Sequence, residues 1–386
     1  MAEFNIVDLF AGAGGLSNGL EQAGMRCILG VDFDKPAMET FKNNHQHANT
    51  FVGDIKDLTE EKILDLLKGQ RADLVCGGPP CQGLSTVGRG MPNDPRNYLF
   101  KHFVRLVEAL NPTYVVLENV TGLVGGKNEN ILQGILTEFA GIGYDLTPKV
   151  LAAHHYGVPQ KRRRTIFIGN NKGYKNLHPA PRYDAGDPKL PPAKTVGEAF
   201  SNLKAKDGKA YNHEKEWAVI KKPLDKERIK HIPEGKSIRY KEDEDAYLPE
   251  KLKLGIDWSK IDEGRLRQEK YKRLSRNAAS PTIMTDGHTY FHPTEDRYLT
   301  VREGAAIQSF PNNFIFYGTI TQQWRQIGNA VPPLLAKAIG ESILEMESKK
   351  EKIEKNHLSI NEIRSQAFDY KPKKWMDNKQ QTLFRA

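Results

Sequence analysis

A cysteine in a loop rich in glycine and proline is the first candidate for chemistry in this chain of 386 residues. Cys81 lies within the segment 77–83, directly after a short apolar run that ends at Cys76. A lone cysteine is usually a small buried hydrophobe, but a polar loop after a strand lies where ligands gather in a parallel sheet. The flanking glycines leave room for a bulky substrate. The pattern predicts that Cys81 is the nucleophile of an enzyme.

Acidic and basic residues that could serve this thiol follow or precede other apolar runs. Glu118 comes directly after the run 114–117. An arginine-rich segment, 160–164, leads into the run 165–168. A nucleophilic thiol needs neighbours that lower its pKa or carry protons. Because ligands gather where the strands of an open sheet end, we expect the thiol, the acid and the arginines to form one site.

A second glycine-rich segment, 8–15, lies between the first predicted strand and the first predicted helix. Its glycines allow a tight turn and a close approach to a ligand, with the N–H groups of the helix facing it. Asp32 follows Gly12 by about 20 residues, the spacing at which an acid binds ribose hydroxyls. The combination predicts a nucleoside cofactor, and a tight turn that binds nothing is the alternative. Ser17 stands where a dinucleotide fingerprint has its third glycine, which disfavours nicotinamide.

The composition is that of an ordinary soluble globular protein, with 38% hydrophobic and 27% charged residues. A formal net charge of +9 favours a polyanionic partner, although it is weak evidence alone. Three cysteines without a zinc-site spacing favour a reducing cytoplasm and no metal. No stretch approaches the roughly 20 apolar residues that cross a bilayer, so no membrane is expected.

The elements that must position these residues alternate between strand and helix over the first 170 or so residues. Such βαβ alternation predicts an α/β fold with a mostly parallel sheet and helices on both faces. Beyond it, prolines and charged segments with little periodicity predict a separate loop-rich domain. Regular patterning returns near Arg297. The predicted strands are 5–10, 27–31, 73–76, 114–117 and 164–168, and the predicted helices are 16–24, 36–44, 63–67, 99–110 and 332–346.

Several short motifs occur in the order typical of one enzyme family. Together they resemble the bacterial-type cytosine-C5 DNA methyltransferases over nearly the whole chain, from about Asn5 to Leu344. The resemblance implies a Rossmann-like S-adenosylmethionine-dependent methyltransferase fold, with a smaller loop-rich target-recognition domain. The matching motifs are 8–15, 77–85, 118–120, 160–164, 297–303 and 326–332.

The resemblance implies a catalytic mechanism. Cys81 adds to C6 of cytosine, while Glu118 contacts N3 and the exocyclic amine. C5 then attacks the methyl group of S-adenosylmethionine, giving S-adenosylhomocysteine, and loss of the C5 proton frees Cys81. Arg162 and Arg164 would stabilise charge and hold the nucleotide, whereas Arg163 would point to the opposite side of its strand. A solvated basic face is the alternative for each arginine.

The resemblance also implies a cofactor site. Phe10 and Phe33 would flank the adenine, and Asp32 would bind the ribose. Many family members have the longer acid Glu at the position of Asp32. The predicted cofactor-binding residues are Phe10, Gly12, Gly14, Gly15, Leu16, Asp32, Phe33, Asp54, Ile55, Pro80, Leu99, Asn329, Ala330 and Val331.

Duplex DNA is the expected substrate. A base inside a duplex cannot reach Cys81, so the cytosine must be flipped out, at a cost of about a few kcal/mol. The segment 83–98 resembles the mobile loop that closes over such a base, and 280–283 resembles a short element of the recognition domain. The predicted DNA-binding residues are Gln82, Ser85, Arg89, Arg96 and Thr282.

The resemblance gives the domain plan and the biological setting. We expect a monomer in the prokaryotic cytoplasm, associated with the nucleoid. It would act in a restriction-modification system beside a cognate endonuclease, or as a solitary methylase. The predicted domains are 1–169 for catalysis and cofactor binding, 170–296 for target recognition, 297–348 as a return segment that completes the catalytic domain, and 349–386 as a charged C-terminal extension.

Three alternatives stay open on the sequence. A related branch methylates cytosine in tRNA and carries similar catalytic motifs. A Rossmann-type dehydrogenase would bind a nicotinamide cofactor, but no hydride-transfer acid/base set is evident. A DNA-binding protein that kept the fold without catalysis is the third.

Overall fold

A computed structural model describes most of the chain, in two compact units. Unit 1 comprises Met1–Gly157, Arg162–Pro191 and Ala330–Ala386, and unit 2 comprises Val158–Lys161 and Pro192–Asn329. The residues that the structure describes are 3–79, 99–125, 128–260, 269–352 and 359–368. Outside them lie the predicted site residues Pro80, Cys81, Gln82, Ser85, Arg89 and Arg96.

A seven-stranded sheet forms the centre of unit 1, in the order β3-β2-β1-β4-β5-β7-β6. The first five strands in that order are parallel, whereas β7 is antiparallel to both β5 and β6. Strands β4 and β5 begin as unbroken buried apolar runs, as expected for strands covered on both faces. The predicted fold class is therefore confirmed. The strands are β1 (Asn5–Leu9), β2 (Arg26–Asp32), β3 (Asn49–Val52), β4 (Leu74–Gly77), β5 (Tyr114–Asn119), β6 (Asp145–Ala152) and β7 (Arg163–Asn170).

The strand order reverses between β1 and β4, which makes this point of the sheet the natural place for a ligand site. Leu9 and Gly77 are register partners at the carboxyl ends of these strands. A Cβ atom on Gly77 would lie 1.8 Å from the Leu9 carbonyl oxygen. A glycine is therefore required where β4 leads towards the segment that contains Cys81.

Helices cover the sheet of unit 1, and the last long one returns from the far end of the chain. Helix α11 packs against α1 so closely that a Cβ atom on Gly19 would lie 2.2 Å from the Pro333 carbonyl oxygen. The side chain of Tyr114 in β5 donates a hydrogen bond of 2.8 Å to Glu347 of α11. The helices of unit 1 are α1 (Gly15–Gln22), α2 (Lys35–Asn44), α3 (Glu60–Leu67), α4 (Leu99–Leu110), α5 (Glu129–Gly141), α11 (Pro333–Lys349) and α12 (Ile360–Gln366).

Unit 2 consists of short helices and turns, with no named strand among its described residues. A small apolar core around Ile229 and Phe291 and a buried ion pair hold it together. Arg297 donates two hydrogen bonds, of 2.8 and 2.7 Å, to the Glu303 carboxylate, and such a bidentate pair is among the strongest. The helices of unit 2 are α6 (Val196–Phe200), α7 (Pro223–Ile229), α8 (Lys241–Tyr247), α9 (Val301–Ile307) and α10 (Ile320–Asn329).

The bounds of the two units differ from the predicted domain bounds. Residues 170–191 group with unit 1, and residues 297–329 group with unit 2. The predicted division into catalytic and recognition domains concerns function rather than compactness, and it stays a prediction.

Candidate active site

The loop between β1 and α1 has the backbone of a ligand-binding turn. Phe10, Gly12 and Gly14 have φ values of 67°, 55° and 91°, in the left-handed region. That region is uncommon for a residue such as phenylalanine, and backbone strain of this kind clusters at functional sites. The Ala11 N–H donates a 2.9 Å hydrogen bond to the Val31 carbonyl, which fixes the loop against β2.

Asp32 joins this loop to the end of β2. Its carboxylate accepts hydrogen bonds of 2.9 Å from the backbone N–H groups of Gly12 and Asp34, one on each oxygen. Burial raises the pKa of Asp32, while these N–H donors oppose the rise. Each carboxylate oxygen has a second acceptor site, so the group can still accept hydrogen bonds from hydroxyls of a ligand.

The surroundings of Asp32 fit a nucleoside. Phe33, the next residue, is 71% exposed, which is unusual for a phenylalanine and leaves a ring face free for an aromatic base. A Cβ atom on Gly12 would meet nothing within 4 Å, so the loop is open above its backbone. Asp54 follows the neighbouring strand β3, caps the 3-10 turn Ile55–Asp57 and is half exposed. The structure brings these predicted cofactor residues to one edge of the sheet.

A buried polar cluster supports the loop from below, and sequence reasoning missed it. The Ser17 hydroxyl donates a 2.6 Å hydrogen bond to the Asp8 carboxylate, and both residues are buried. A Cβ atom on Gly14 would lie 2.4 Å from Nε2 of the buried His45, whose Nδ1 is 2.8 Å from Glu21. Burial raises the pKa of Asp8 to about 7. Ser17, which the sequence offered only as a missing glycine, is thus a partner of Asp8.

Glu118 and Arg164 form an ion pair where β5 ends and β7 begins. Arg164 Nε lies 2.8 Å from Glu118 Oε1, and the two side chains are 18% and 13% exposed. Because β5 and β7 are antiparallel and Glu118 is opposite Ile166, Arg164 reaches its partner diagonally. This pair could offer a nucleobase a hydrogen-bond acceptor, the Glu118 carboxylate, and hydrogen-bond donors, the N–H groups of the Arg164 guanidinium.

Arg162 and Arg163 lie on opposite sides, as the alternation of side chains predicts. Arg162 is 1% exposed, whereas Arg163 is exposed. Burial and the neighbouring Arg164 lower the pKa of Arg162, and Glu118 opposes the change. The structure therefore groups Arg162 electrostatically with the Glu118–Arg164 pair and excludes a solvated face for it.

The chain that leads to Cys81 starts against this ion pair. A Cβ atom on Gly78 would lie 2.8 Å from Glu118 Oε2, so only glycine leaves the carboxylate in place. The Asn119 side chain donates a 3.2 Å hydrogen bond to the Pro79 carbonyl oxygen. Cys81 itself is outside the described residues. Asn119 was not among the predicted site residues, although its place beside Glu118 at a strand end was a usable signal.

The other predicted cofactor residues differ in exposure. Leu16 and Ile55 are buried in unit 1, and Leu99 at the start of α4 is half-buried. Ala330 and Val331 follow α10 along the chain and belong to unit 1, and Val331 is buried. Gly15 begins α1. Asn329 ends α10 in unit 2.

Within unit 2, residues of three sequence motifs pack together around Gln160. Its side-chain oxygen accepts a 2.8 Å hydrogen bond from the Ile283 N–H, and its amide donates a 2.8 Å hydrogen bond to Gln308. A Cβ atom on Gly328 would lie 2.6 Å from the backbone of Met284. The predicted DNA-binding residue Thr282 is half-buried beside this cluster.

Neither a metal-binding cluster nor a membrane-spanning helix occurs among residues 3–79, 99–125, 128–260, 269–352 and 359–368. Among those residues, no group of three or more histidine, cysteine, aspartate or glutamate side chains could hold a metal ion. No helix in that part of the chain is both long and apolar enough to span a membrane.

The fold and the site define the class of protein. The sheet order, the glycine-rich loop after β1 and the acid at the end of β2 are those of a Rossmann-like methyltransferase fold. Residues 4–345 match the family model of the C-5 cytosine-specific DNA methylases. The chain therefore belongs to this family and is a DNA (cytosine-5-)-methyltransferase, as the sequence motifs predicted.

Known proteins of similar sequence and fold agree with this assignment. The type II methyltransferase M1.HphI of Haemophilus parahaemolyticus is 35% identical over 347 residues, which cover 88% of this chain and 86% of the relative. M.XorII of Xanthomonas oryzae pv. oryzae is 34% identical over 370 residues, covering 89% and 85%. The crystal structure of a DNA modification methyltransferase encoded in an E. coli prophage is 27% identical, with a TM-score of 0.68 over 90% of this chain and 100% of that one.

Proposed function

We propose that this enzyme methylates C5 of a flipped-out cytosine in a specific duplex DNA sequence, through a covalent bond between Cys81 and C6. The observation that carries the proposal is the Glu118–Arg164 ion pair, with Gly78 against its carboxylate at the start of the Cys81 segment. The family supplies the substrate class, a cytosine in DNA.

The proposed chemistry overcomes the low nucleophilicity of cytosine C5. The Cys81 thiolate forms a bond to C6, and the electron density released towards C5 makes that carbon a nucleophile. Glu118 would contact N3 and the exocyclic amine, where charge develops. C5 then takes the methyl group and loses its proton, and the bond between sulfur and C6 breaks. Arg164 holds the Glu118 carboxylate in position, and with Arg162 it would stabilise the nucleotide.

The family implies S-adenosylmethionine, which supplies an electrophilic methyl group when bound. The loop that contains Gly12 and Gly14, which is open above Gly12, would accept its methionine part, and the remaining acceptor sites of Asp32 would bind the ribose hydroxyls. The exposed ring of Phe33 would pack against the adenine. Asp54 would contact the adenine edge. No metal is part of this proposal.

The segment 170–296, of which residues 192–296 belong to unit 2, is the proposed target-recognition domain, with Thr282 among its DNA contacts. Lysines and arginines would bind phosphates and contribute affinity without sequence information. The names of the relatives as type II methyltransferases support a role in a restriction-modification system. We propose that the enzyme acts as a monomer in the cytoplasm, with a cognate restriction endonuclease as its biological partner.

Duplex DNA that contains 5-fluorocytosine tests the covalent step. Fluorine at C5 cannot leave as a proton does, so the enzyme and the DNA should stay joined in the presence of S-adenosylmethionine. Cys81→Ala should form no such adduct on a denaturing gel. Cys76→Ala is the matched control, because Cys76 is a buried cysteine of β4 and should leave adduct formation intact.

Adduct formation, methyl transfer and DNA binding together decide between the proposal and its alternatives. An adduct formed by Cys81→Ala at the parental level would show that the nucleophile is another residue. Methyl transfer to tRNA with none to duplex DNA would favour the RNA-methylating branch. Duplex binding with no methyl transfer by the parental enzyme would favour a non-catalytic DNA-binding protein. Bisulfite sequencing of DNA from a methylation-free host that expresses the enzyme would then give the recognition sequence.

A further inference from the structure

The segment 359–368 lies beyond the residues that match the family model, yet it is part of unit 1. It contains α12, which begins with a capping box at Ser359. Ala367 is fully buried, and Ile360 and Phe368 pack against the apolar core of the sheet. This short segment therefore docks as a folded element, where the sequence predicted only a charged extension.

The first contact of this segment is with β6, at the edge of the sheet. The Val150 N–H donates a 2.6 Å hydrogen bond to the Ala367 carbonyl oxygen, and Val150 forms a parallel bridge with Phe368. Val150 is the register partner of Thr165 in β7, the residue next to Arg164. The segment thus covers β6, the edge strand that lies next to β7, and β7 carries Arg164.

The second contact is with the turn that follows β5. Arg364 Nε donates a 3.2 Å hydrogen bond to the Val124 carbonyl oxygen, and Nη1 lies 3.0 Å from the Glu129 carboxylate. Val124 ends the 3-10 turn Thr121–Val124, which begins three residues after Glu118 and two after Asn119. The Arg364 and Glu129 side chains are 25% and 43% exposed, so their ion pair is worth little, and the carbonyl contact is the specific one.

The two contacts flank the junction between β5 and β7 that carries the Glu118–Arg164 pair. The Thr165 hydroxyl donates a 3.2 Å hydrogen bond to the Val120 carbonyl oxygen, which ties the start of β7 to the end of β5. One contact of the segment therefore supports the β7 side of this junction, and the other supports the β5 side. Val120 lies two residues after Glu118, and Thr165 directly follows Arg164.

We propose that the segment 359–368 is a brace for the Glu118–Arg164 pair, and that Arg364 is its positioning residue. The inference rests on the proposed function, because it concerns the geometry of that catalytic pair. Arg364 touches no substrate in this proposal. It acts by fixing the turn Thr121–Val124 and hence the direction in which β5 presents Glu118.

Kinetics of point variants in the full-length enzyme test the brace. Arg364→Ala should lower kcat about 5-fold while KM for DNA and for S-adenosylmethionine changes less than about 2-fold, because a small misplacement of a catalytic group costs rate rather than binding. Arg364→Lys should show the same fall in kcat as Arg364→Ala. Lysine keeps the positive charge that faces Glu129 but lacks the guanidinium N–H that donates to the Val124 carbonyl oxygen. Glu129→Gln is the matched control and should keep at least about half of the parental kcat, because it removes only a weak ion pair.

Hydrogen exchange gives a readout that does not depend on activity. The amides of residues 118–125 should exchange faster in Arg364→Ala than in the parent, with exchange in β1 and β2 unchanged. A parental kcat and parental exchange in Arg364→Ala would overturn the brace and leave the proposed function standing. Equal losses of kcat in Glu129→Gln and Arg364→Ala would assign the effect to the ion pair and also contradict the proposal. An inactive parental enzyme would instead contradict the proposed function.

Discussion

Asp8 is the penultimate residue of β1 and lies buried beneath the glycine-rich segment 8–15, where several polar groups surround its carboxyl group. The Ser17 hydroxyl donates a hydrogen bond to it, and both Ser17 and the buried His45 oppose the rise that burial causes in the Asp8 pKa. Asp32 and the buried thiol of Cys76 interact with it from the adjacent strands. The protonation of this one group is therefore linked to the stability of the site.

The pKa of Asp8 is about 7 in the folded enzyme, against an ordinary value of 3.8. Between these values the folded state holds a proton that the unfolded state has released, so stability falls as pH rises through this window. Asp8→Asn is neutral throughout and should gain roughly 2 kcal/mol relative to the parent between pH 5 and pH 7. Urea unfolding at several pH values measures the difference, and parallel curves for the two proteins would contradict the assignment.

Several residues that the sequence predicted for the site lie at the carboxyl edge of the sheet, but the contacts that support them were not predicted. The glycines of 8–15, Asp32 and Glu118 could be predicted because turns and strand ends have local signatures. The partners Ser17, His45 and Asn119 could not, since their contacts depend on which distant segments meet. The roles of Arg162, Arg164 and the cofactor residues stay predictions until they are tested.

The return of α11 to α1 depends on close contact between the two helices. Gly19→Ala would place a methyl group 2.2 Å from the Pro333 carbonyl oxygen, so the helices must separate. We expect a loss of about 1–3 kcal/mol in the free energy of unfolding, as for other overpacked sites. Gly134→Ala in α5 is the matched control. Its Cβ would meet nothing within 4 Å, so better helix propensity should stabilise the protein by about 0.5–1 kcal/mol. Equal stabilities of the two variants in urea would contradict the packing argument.

The elements that the sequence predicted best are those with strong apolar patterns. Helix α4 was predicted with both of its observed bounds, because its apolar face is continuous. Strands β3 and β6 were missed. β3 is short and mostly half-buried, and β6 carries Pro148 and Lys149 at the centre of its sequence. Edge strands need no unbroken apolar run, so periodicity gives little signal for them.

The whole molecule is basic, with 57 lysine and arginine residues against 48 acids. If the substrate is duplex DNA, binding should release counterions. The dissociation constant for duplex DNA should then rise about 10-fold or more between 50 and 200 mM salt. The constant for S-adenosylhomocysteine should change less than about 2-fold, because no phosphate is involved. Fluorescence titrations measure both, and a DNA affinity that does not depend on salt would contradict phosphate contacts by the basic surface.

The pairing of α1 with α11 also has a consequence for how the enzyme is made. Helix α1 begins at Gly15 and its partner begins at Pro333, so a ribosome must add several hundred residues between them. At about 5–20 residues per second, the nascent chain carries an uncovered α1 for roughly 15 to 60 s. The glycine-rich segment 8–15 leads directly into that helix, so its support by α11 comes only after residues 333–349 have been added. We therefore expect a translation product that stops before α11 to lack methyltransferase activity.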